Sequence, residues 1–140
     1  RIRCLIAERL GFVARWEVAR TKSTSLPKIA IVSRPADYLD MDGNAIQAEE
    51  MDLCVRAISV GALHKAYPMT VSIATASAAM LEGTIVRELC APAADHAVIR
   101  LGHVSGVTPV EVFMEGSKVL KGGVTRTARR IMDGFVYVRE

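Results

Sequence analysis

The stretch "HKAYPMTVSIATASAAMLEG" (64–83) narrows the choice of fold more than any other part of this chain. From Ala66 to Leu81, sixteen consecutive residues carry no charge, and most are alanine, serine or threonine. A helix that is apolar on every side either crosses a membrane or is enclosed by protein. Crossing takes roughly 20 apolar residues, so the run is too short, and it is also rich in hydroxyls. The pattern predicts a central helix over about 70–81, buried on nearly all sides, with small side chains that admit a curved sheet closely. Pro68 disfavours a helical Tyr67. The helix is therefore expected to begin with Pro68 in its first turn or with Thr70 as cap, and Gly83 is placed to end it.

Around this helix the chain reads as α+β. "RIRCLIAERL" is a helix with apolar Ile2, Leu5, Ile6 and Leu10, stopping near Gly11 or continuing loosely past Trp16. "KIAIVS" (28–33) has the composition of a buried strand. Arg34-Pro35 and Asp42-Gly43 carry turn chemistry. Residues 47–66 read as a second helix, with Met51, Cys54, Val55, Ile58 and Ala62 at three-four spacing and Glu49, Glu50 and Asp52 in the first turn. "GTIVREL", "HAVIRLGH", "VTPVEVFMEG" and "SKVLKGGV" have strand composition. Asp133-Gly134 is a hairpin signal, which predicts that 124–132 pairs with "FVYV" (135–138). The result is a set of helices followed by an antiparallel sheet, in one domain of 140 residues. Arg1 already stands inside a helical pattern, so the expectation is an incomplete domain of a longer protein.

Several function classes are disfavoured. The net charge of +3 is spread along the chain, and Arg126, Arg129 and Arg130 lack interleaved aromatics, so no nucleic acid is expected. No signal peptide or membrane span is expected. Cys4, Cys54 and Cys90 form no CxxC, which argues against a disulfide framework or thiolate zinc site and for a reduced, cytoplasmic setting. Cys54 falls on the apolar face of its expected helix, as a core residue. Cys4 and Cys90 have no visible activating partner. His64, His96 and His103 lack the spacing of a helical metal pair, so no metal is expected.

Four separated segments, "PKIAIVSRPADY", "AEEMDLCVRAISVGALHKAYPMT", "GHVSG" and "GGVTRTARRIMDGFVYV", resemble the C-terminal part of the 2-methylaconitate cis–trans isomerase (PrpF-like) family, which includes 4-oxalomesaconate tautomerases. The resemblance runs from about Pro27 to Val138. It implies a diaminopimelate epimerase-like fold: two similar domains, each an antiparallel β-barrel-like sheet around a buried central helix, with the active site between them. It also implies a cofactor-independent isomerase of small unsaturated di- or tricarboxylates, with a homo-oligomer possible.

On that resemblance the charge-free helix is the central helix of its barrel, and its N-terminus faces the cleft. The first N–H groups of a helix lack internal partners and carry partial positive charge, which suits a substrate carboxylate and the enolate-like species formed beside it. The implied substrate-binding residues are Thr70, Val71 and Ser72 at the helix start, and His103, Ser105 and Gly106 in the "GHVSG" loop. Read without the resemblance, Thr70 and Ser72 are ordinary helix caps and "GHVSG" is a hairpin turn with a solvated histidine. Lys65 reads as a solvated residue closing the preceding helix. The family usually has glycine where this chain has Val71, and a Cβ there narrows the approach to the backbone. The lysine and cysteine that the family uses for proton transfer belong to its N-terminal domain, so no catalytic residue is expected within 1–140. The alternative is a non-catalytic remnant or module that binds a carboxylate or a partner without turnover.

Overall fold

The computed structural model describes residues 1–90, 98–126 and 128–139. Helix α1 (Ile2–Arg9) stops before Gly11, whose φ of 75° is a left-handed conformation that costs glycine nothing. A 3-10 turn (Trp16–Val18) leads into the single turn α2 (Ala19–Lys22). The expected helix is present, but its expected apolar face is not the buried one. Cys4 and Ala7 pack with Val13 and Ala19 beside Trp16, whereas Ile2, Leu5, Ile6 and Leu10 stay exposed. Small side chains on the inner face allow the two helical turns to meet closely. Arg3 ties them further, donating to the Ala19 carbonyl at 3.1 Å and to the Leu26 carbonyl at 2.8 Å.

Strand β1 (Ile29–Ser33) is an edge strand, with Ile31 exposed rather than buried as expected. A separate hairpin follows, β2 (Tyr38–Leu39) and β3 (Ala45–Ile46), turning at Asp42-Gly43 as its sequence predicts. The Asp40 carboxylate accepts the amides of Asp42 and Asn44 at 2.9 and 2.8 Å, the local bond that makes aspartate a turn residue.

The helix expected over 47–66 is instead a strand. Its start signal is used only briefly: Gln47 and Glu50 form a capping box around one 3-10 turn, Ala48–Glu50. The chain then extends into β4 (Leu53–Ser59), turns at Val60-Gly61 with both φ positive, and returns as β5 (Ala62–Leu63). Leu53, Val55 and Ala57 are buried, and the residues between them only half-buried. This period of two coexists in the sequence with the three-four spacing, and strand partners on both sides of β4 decide between them. Cys54 accordingly faces away from the core, and exposed Lys65 lies in a loop rather than at a helix end.

Helix α3 (Met69–Met80) follows, capped by Pro68 in extended conformation. Thr84 then caps a short helix α4 (Ile85–Leu89), its hydroxyl accepting the Arg87 amide at 3.1 Å, where strand composition had predicted a strand. The remaining strands are β6 (Val98–His103), β7 (Gly106–Glu115) and β8 (Lys118–Val124). His96 lies outside the described residues.

The main sheet has the order β1-β4-β6-β7-β8, with β5 beside the end of β4. All its pairings are antiparallel except β4 with β6, which run parallel and meet at Leu53↔Leu101 and Cys54↔Gly102. This joint is reinforced by an ion pair. Asp52, almost fully buried, accepts the Arg100 amide at 2.7 Å and its Nη2 at 2.8 Å, and the Asp52 amide donates to the Arg100 carbonyl at 2.8 Å. The sheet packs over α3, with Leu53, Val55, Ile99, Leu101, Val110 and Val112 against Ala76, Ala79 and Tyr67. A Cβ on Gly122 of β8 would stand 2.4 Å from Cγ2 of Ile73, so glycine is what lets helix and strand touch there.

Helix α3 is therefore central but not enclosed. Ser72, Thr75, Ala76 and Ala79 are buried, whereas Met69, Thr70 and Ala74 are exposed on a side that the sheet does not reach. The hairpin expected across Asp133-Gly134 is also absent among the described residues. Val124 ends β8 as the partner of Val110, and no strand occurs in 128–139. Phe135 and Tyr137 are both 98% exposed. A two-residue turn signal cannot hold an isolated hairpin that has no third strand or helix to cover its apolar face.

Two substitutions test this packing. Asp52→Ala removes the carboxylate from the parallel joint and is expected to cost about 1.5–3 kcal/mol in urea unfolding, the range for hydrogen bonds to a charged group. Gly122→Ala is expected to cost about 1–3 kcal/mol through overpacking. Part of that loss should return in the Gly122→Ala/Ile73→Ala double variant, which clears the clashing methyl.

Candidate functional site

The start of α3 is built from the residues before it. Tyr67 is buried and its hydroxyl shares a 2.8 Å hydrogen bond with Thr75 Oγ1, two turns along the helix, which fixes the entering chain against the helix body. Pro68 supplies the first acceptor: the Ser72 amide donates to its carbonyl at 2.8 Å. The amides of Met69, Thr70 and Val71 precede that bond, and no side chain caps them. Three N–H groups at the positive end of a twelve-residue helix thus remain without an intrahelical acceptor. Met69 and Thr70 are exposed, so water or an anion can reach them.

The three residues singled out at this helix start have different surroundings. Thr70 is exposed and is not the cap. Val71 is half-buried with its side chain against the core. Ser72 is 1% exposed and its hydroxyl turns back to the Pro68 carbonyl at 3.2 Å, so its bond is internal to the helix.

The "GHVSG" loop is the tip of the β6–β7 hairpin, with His103 paired to Gly106. Gly106 has a φ of 116°, which only glycine adopts without strain. His103 is not a solvated turn residue: it is 6% exposed. The Ser105 amide donates to its Nδ1 at 3.3 Å, which leaves the proton on Nε2, 2.8 Å from Thr108 Oγ1. The Tyr38 hydroxyl lies 2.7 Å from the His103 carbonyl and 3.0 Å from the Gly106 carbonyl, binding the β2–β3 hairpin to the loop. Arg56 lies over the Tyr38 ring, 4.7 Å from its centroid, and donates to the Gly102 carbonyl at 3.2 Å. Ser105 is exposed at the tip.

Sequence reasoning missed Tyr38 and Arg56, which hold this loop. Arg56 was hidden by the helical reading of its segment, and Tyr38 by its place in a turn-rich stretch. Among the described residues no hydrogen bond joins Thr70, Val71 or Ser72 to His103, Ser105 or Gly106. No group of three or more His, Cys, Asp or Glu among those residues is placed to hold a metal ion. None of their helices is long and apolar enough to cross a membrane. The three cysteines are unpaired thiols, and burial first, then the nearby Asp52 charge, pushes the Cys90 thiol up from its ordinary value.

The buried imidazole has a consequence for pH. Burial first, and the Arg56 charge second, hold the His103 pKa below its ordinary value. Above about pH 6.5 an unfolded histidine is neutral too, and His103 then contributes its full stability. As the pH falls below that value the unfolded chain takes up the proton before the folded one does, and stability is lost. The expected result is a urea midpoint that falls between about pH 7 and pH 5, with a shallower fall in His103→Gln.

Known proteins give this geometry a context. The sequence matches the PrpF protein family over residues 1–139. It is 40% identical over 140 residues to the 3-methylitaconate isomerase of Eubacterium barkeri, covering 99% of this chain and 37% of that protein. It is 37% identical over 141 aligned positions to the 2-methyl-aconitate isomerase of Shewanella oneidensis, covering 98% of this chain and 35% of that one. The crystal structure of methylitaconate-delta-isomerase superposes with a TM-score of 0.86 at 39% identity, over 96% of this chain and 35% of the other. The chain therefore spans little more than a third of the length of these relatives. With sequence matched almost end to end and the same arrangement of α3 and its sheet found in a solved relative, the chain belongs to the PrpF family.

Proposed function

We propose that residues 1–140 are the C-terminal portion of a cofactor-independent isomerase of small unsaturated di- or tricarboxylates, and that they supply one side of its substrate cleft. The observation that carries this reading is the match along nearly the whole chain to two relatives named as isomerases of methylitaconate and methyl-aconitate. Those relatives extend well beyond this chain, which leaves room for a second domain; on the family resemblance that domain is N-terminal to 1–140 and the fold is diaminopimelate epimerase-like. The open side of α3 is consistent with such an incomplete barrel.

The chemistry assigns α3 a role. Isomerisation of this kind breaks a C–H bond beside a carboxylate, shifts the double bond, and returns a proton at another carbon. The intermediate carries enolate-like negative charge, which oriented N–H dipoles stabilise. The free amides of Met69, Thr70 and Val71 suit a carboxylate of the substrate, and exposed Thr70 adds a hydroxyl. Ser105 and Gly106 contribute a loop edge, and His103 positions that loop through Thr108 and Ser105. Ser72 supports the helix start from within. Proton transfer needs groups within hydrogen-bond reach of the reacting carbons, and on this reading the lysine and cysteine that do it belong to the N-terminal domain. The alternative, a carboxylate-binding module without turnover, draws support from Val71, which stands where the family usually has glycine.

Two measurements test this. Purified 1–140 should show no isomerisation of 3-methylitaconate or 2-methylaconitate; turnover abolished by replacing one of its own residues would overturn the assignment of proton transfer to another domain. Titration with a tricarboxylate, followed by amide NMR, should shift residues 69–71. Shifts clustered at 126–130 with none at 69–71 would place the anion site elsewhere. Met69→Pro deletes one donor at a position where proline preserves a helix. Its binding should weaken by about 1 kcal/mol, or about fivefold, the order of one hydrogen bond.

A further inference from the structure

The β2–β3 hairpin holds the "GHVSG" loop by the loop's carbonyl groups. The Tyr38 hydroxyl lies against the carbonyls of His103 and Gly106, and the Met41 amide donates to the Val104 carbonyl at 2.7 Å. These carbonyls are thus drawn to one side of the loop, and that side faces away from α3. Val55 and Ala57 of β4 are buried in the core with α3, so Arg56 between them projects from the opposite face of the sheet. The Tyr38 ring lies against the Arg56 guanidinium on that outer face.

In a planar trans peptide the C=O and the N–H that follows it point in opposite directions. Holding the carbonyls of His103 and Val104 toward Tyr38 and Met41 therefore turns the amides of Val104 and Ser105 toward the α3 face. The Ser105 amide shows the direction: it donates to Nδ1 of His103, whose buried ring continues the inward alternation of Ile99 and Leu101. Among the described residues the Val104 amide has no protein acceptor. Successive N–H groups at a turn, cleared of carbonyls, favour an anion. Strands β4 and β6 run parallel, so the loop at the end of β6 and the chain that leaves β4 for α3 lie toward the same end of the sheet.

We propose that Tyr38 and Met41 are positioning residues for a substrate carboxylate. They hold the loop's carbonyls on the outer face, so that the Val104 and Ser105 amides present the positive edge of the loop to a carboxylate on the α3 side. Neither side chain touches the substrate; both act through the loop. This role rests on the assignment of α3 and the loop to one side of a polycarboxylate cleft. It separates the tasks of the two elements: the amides of 69–71 take one carboxylate and the loop takes a second, which suits a substrate that carries at least two.

Amide NMR of the 140-residue chain, titrated with the unsaturated tricarboxylate trans-aconitate, tests this. In the wild type, shifts are expected at 69–71 and at 104–106. Tyr38→Phe keeps the ring over Arg56 and deletes the hydroxyl. Met41→Pro deletes the amide donor at the second position of the Asp40–Gly43 turn, where proline fits. Each variant should weaken binding about fivefold, the order of one hydrogen bond. Each should also lose the shifts at 104–106 while keeping those at 69–71 at saturation. A residue that only stabilised the fold would lower the thermal melt and leave the balance between the two segments unchanged. Shifts at 104–106 that survive in a variant, whatever its melting temperature, overturn the role of the residue replaced. Wild-type shifts at 69–71 with none at 104–106 overturn the whole inference and leave the helix start as the anion site. A wild type that shifts at neither segment overturns the cleft assignment, and this inference with it.

Discussion

The ion pair between Asp52 and Arg100 reinforces the joint between two halves of the main sheet. On one side lie β1, β4 and β5; on the other lie β6, β7 and β8. The joint is parallel and short, and the residues it connects are 48 positions apart in the chain. Parallel pairing is less stable per residue than antiparallel pairing, and such a long loop is costly to close. A nearly buried carboxylate that accepts both a backbone amide and a guanidinium offsets this at a single point. With the joint made, Leu53 and Leu101 lie side by side and present one continuous apolar surface to α3.

That surface determines what α3 is. Its inner side packs against strands through alanines and a buried threonine, and its close contact with β8 depends on Gly122 facing Ile73. Its outer side stays open. The same helix therefore has two chemically distinct features that adjoin, since Thr70 and Val71 at its start also line the groove along its flank. At its N-terminus, amides without intrahelical partners favour negative charge; along its flank, small apolar side chains favour another apolar segment. The loop of His103 is held differently, by Tyr38 and Arg56 from segments remote in sequence, so its shape is set by the sheet rather than by the turn residues alone.

Much of this was legible where local chemistry is unambiguous. Pro68 marked the start of α3, and Asp42-Gly43 marked the β2–β3 turn. The segment 47–66 was not legible. Its apolar residues satisfy a period of 3.6 and a period of 2 together, and helix start signals at Glu49 and Glu50 are real but serve one 3-10 turn. The candidate site was legible in part. The helix start could be found from a proline and a charge-free run, but the internal bond of Ser72 and the burial of His103 depend on neighbours that no spacing rule reveals.

The sequence by itself determined that an uncharged helix of small residues lies at the centre of an α+β unit. Sixteen uncharged residues, too few for a membrane, call for a helix packed against protein, and the structure packs one side of it and leaves the other open. Tertiary structure decided which sides of that helix are covered, which face of α1 is inward, and that 53–59 extends rather than coils. Each of these is a choice between local conformations of similar energy, and such choices are settled by the partners brought alongside from distant parts of the chain.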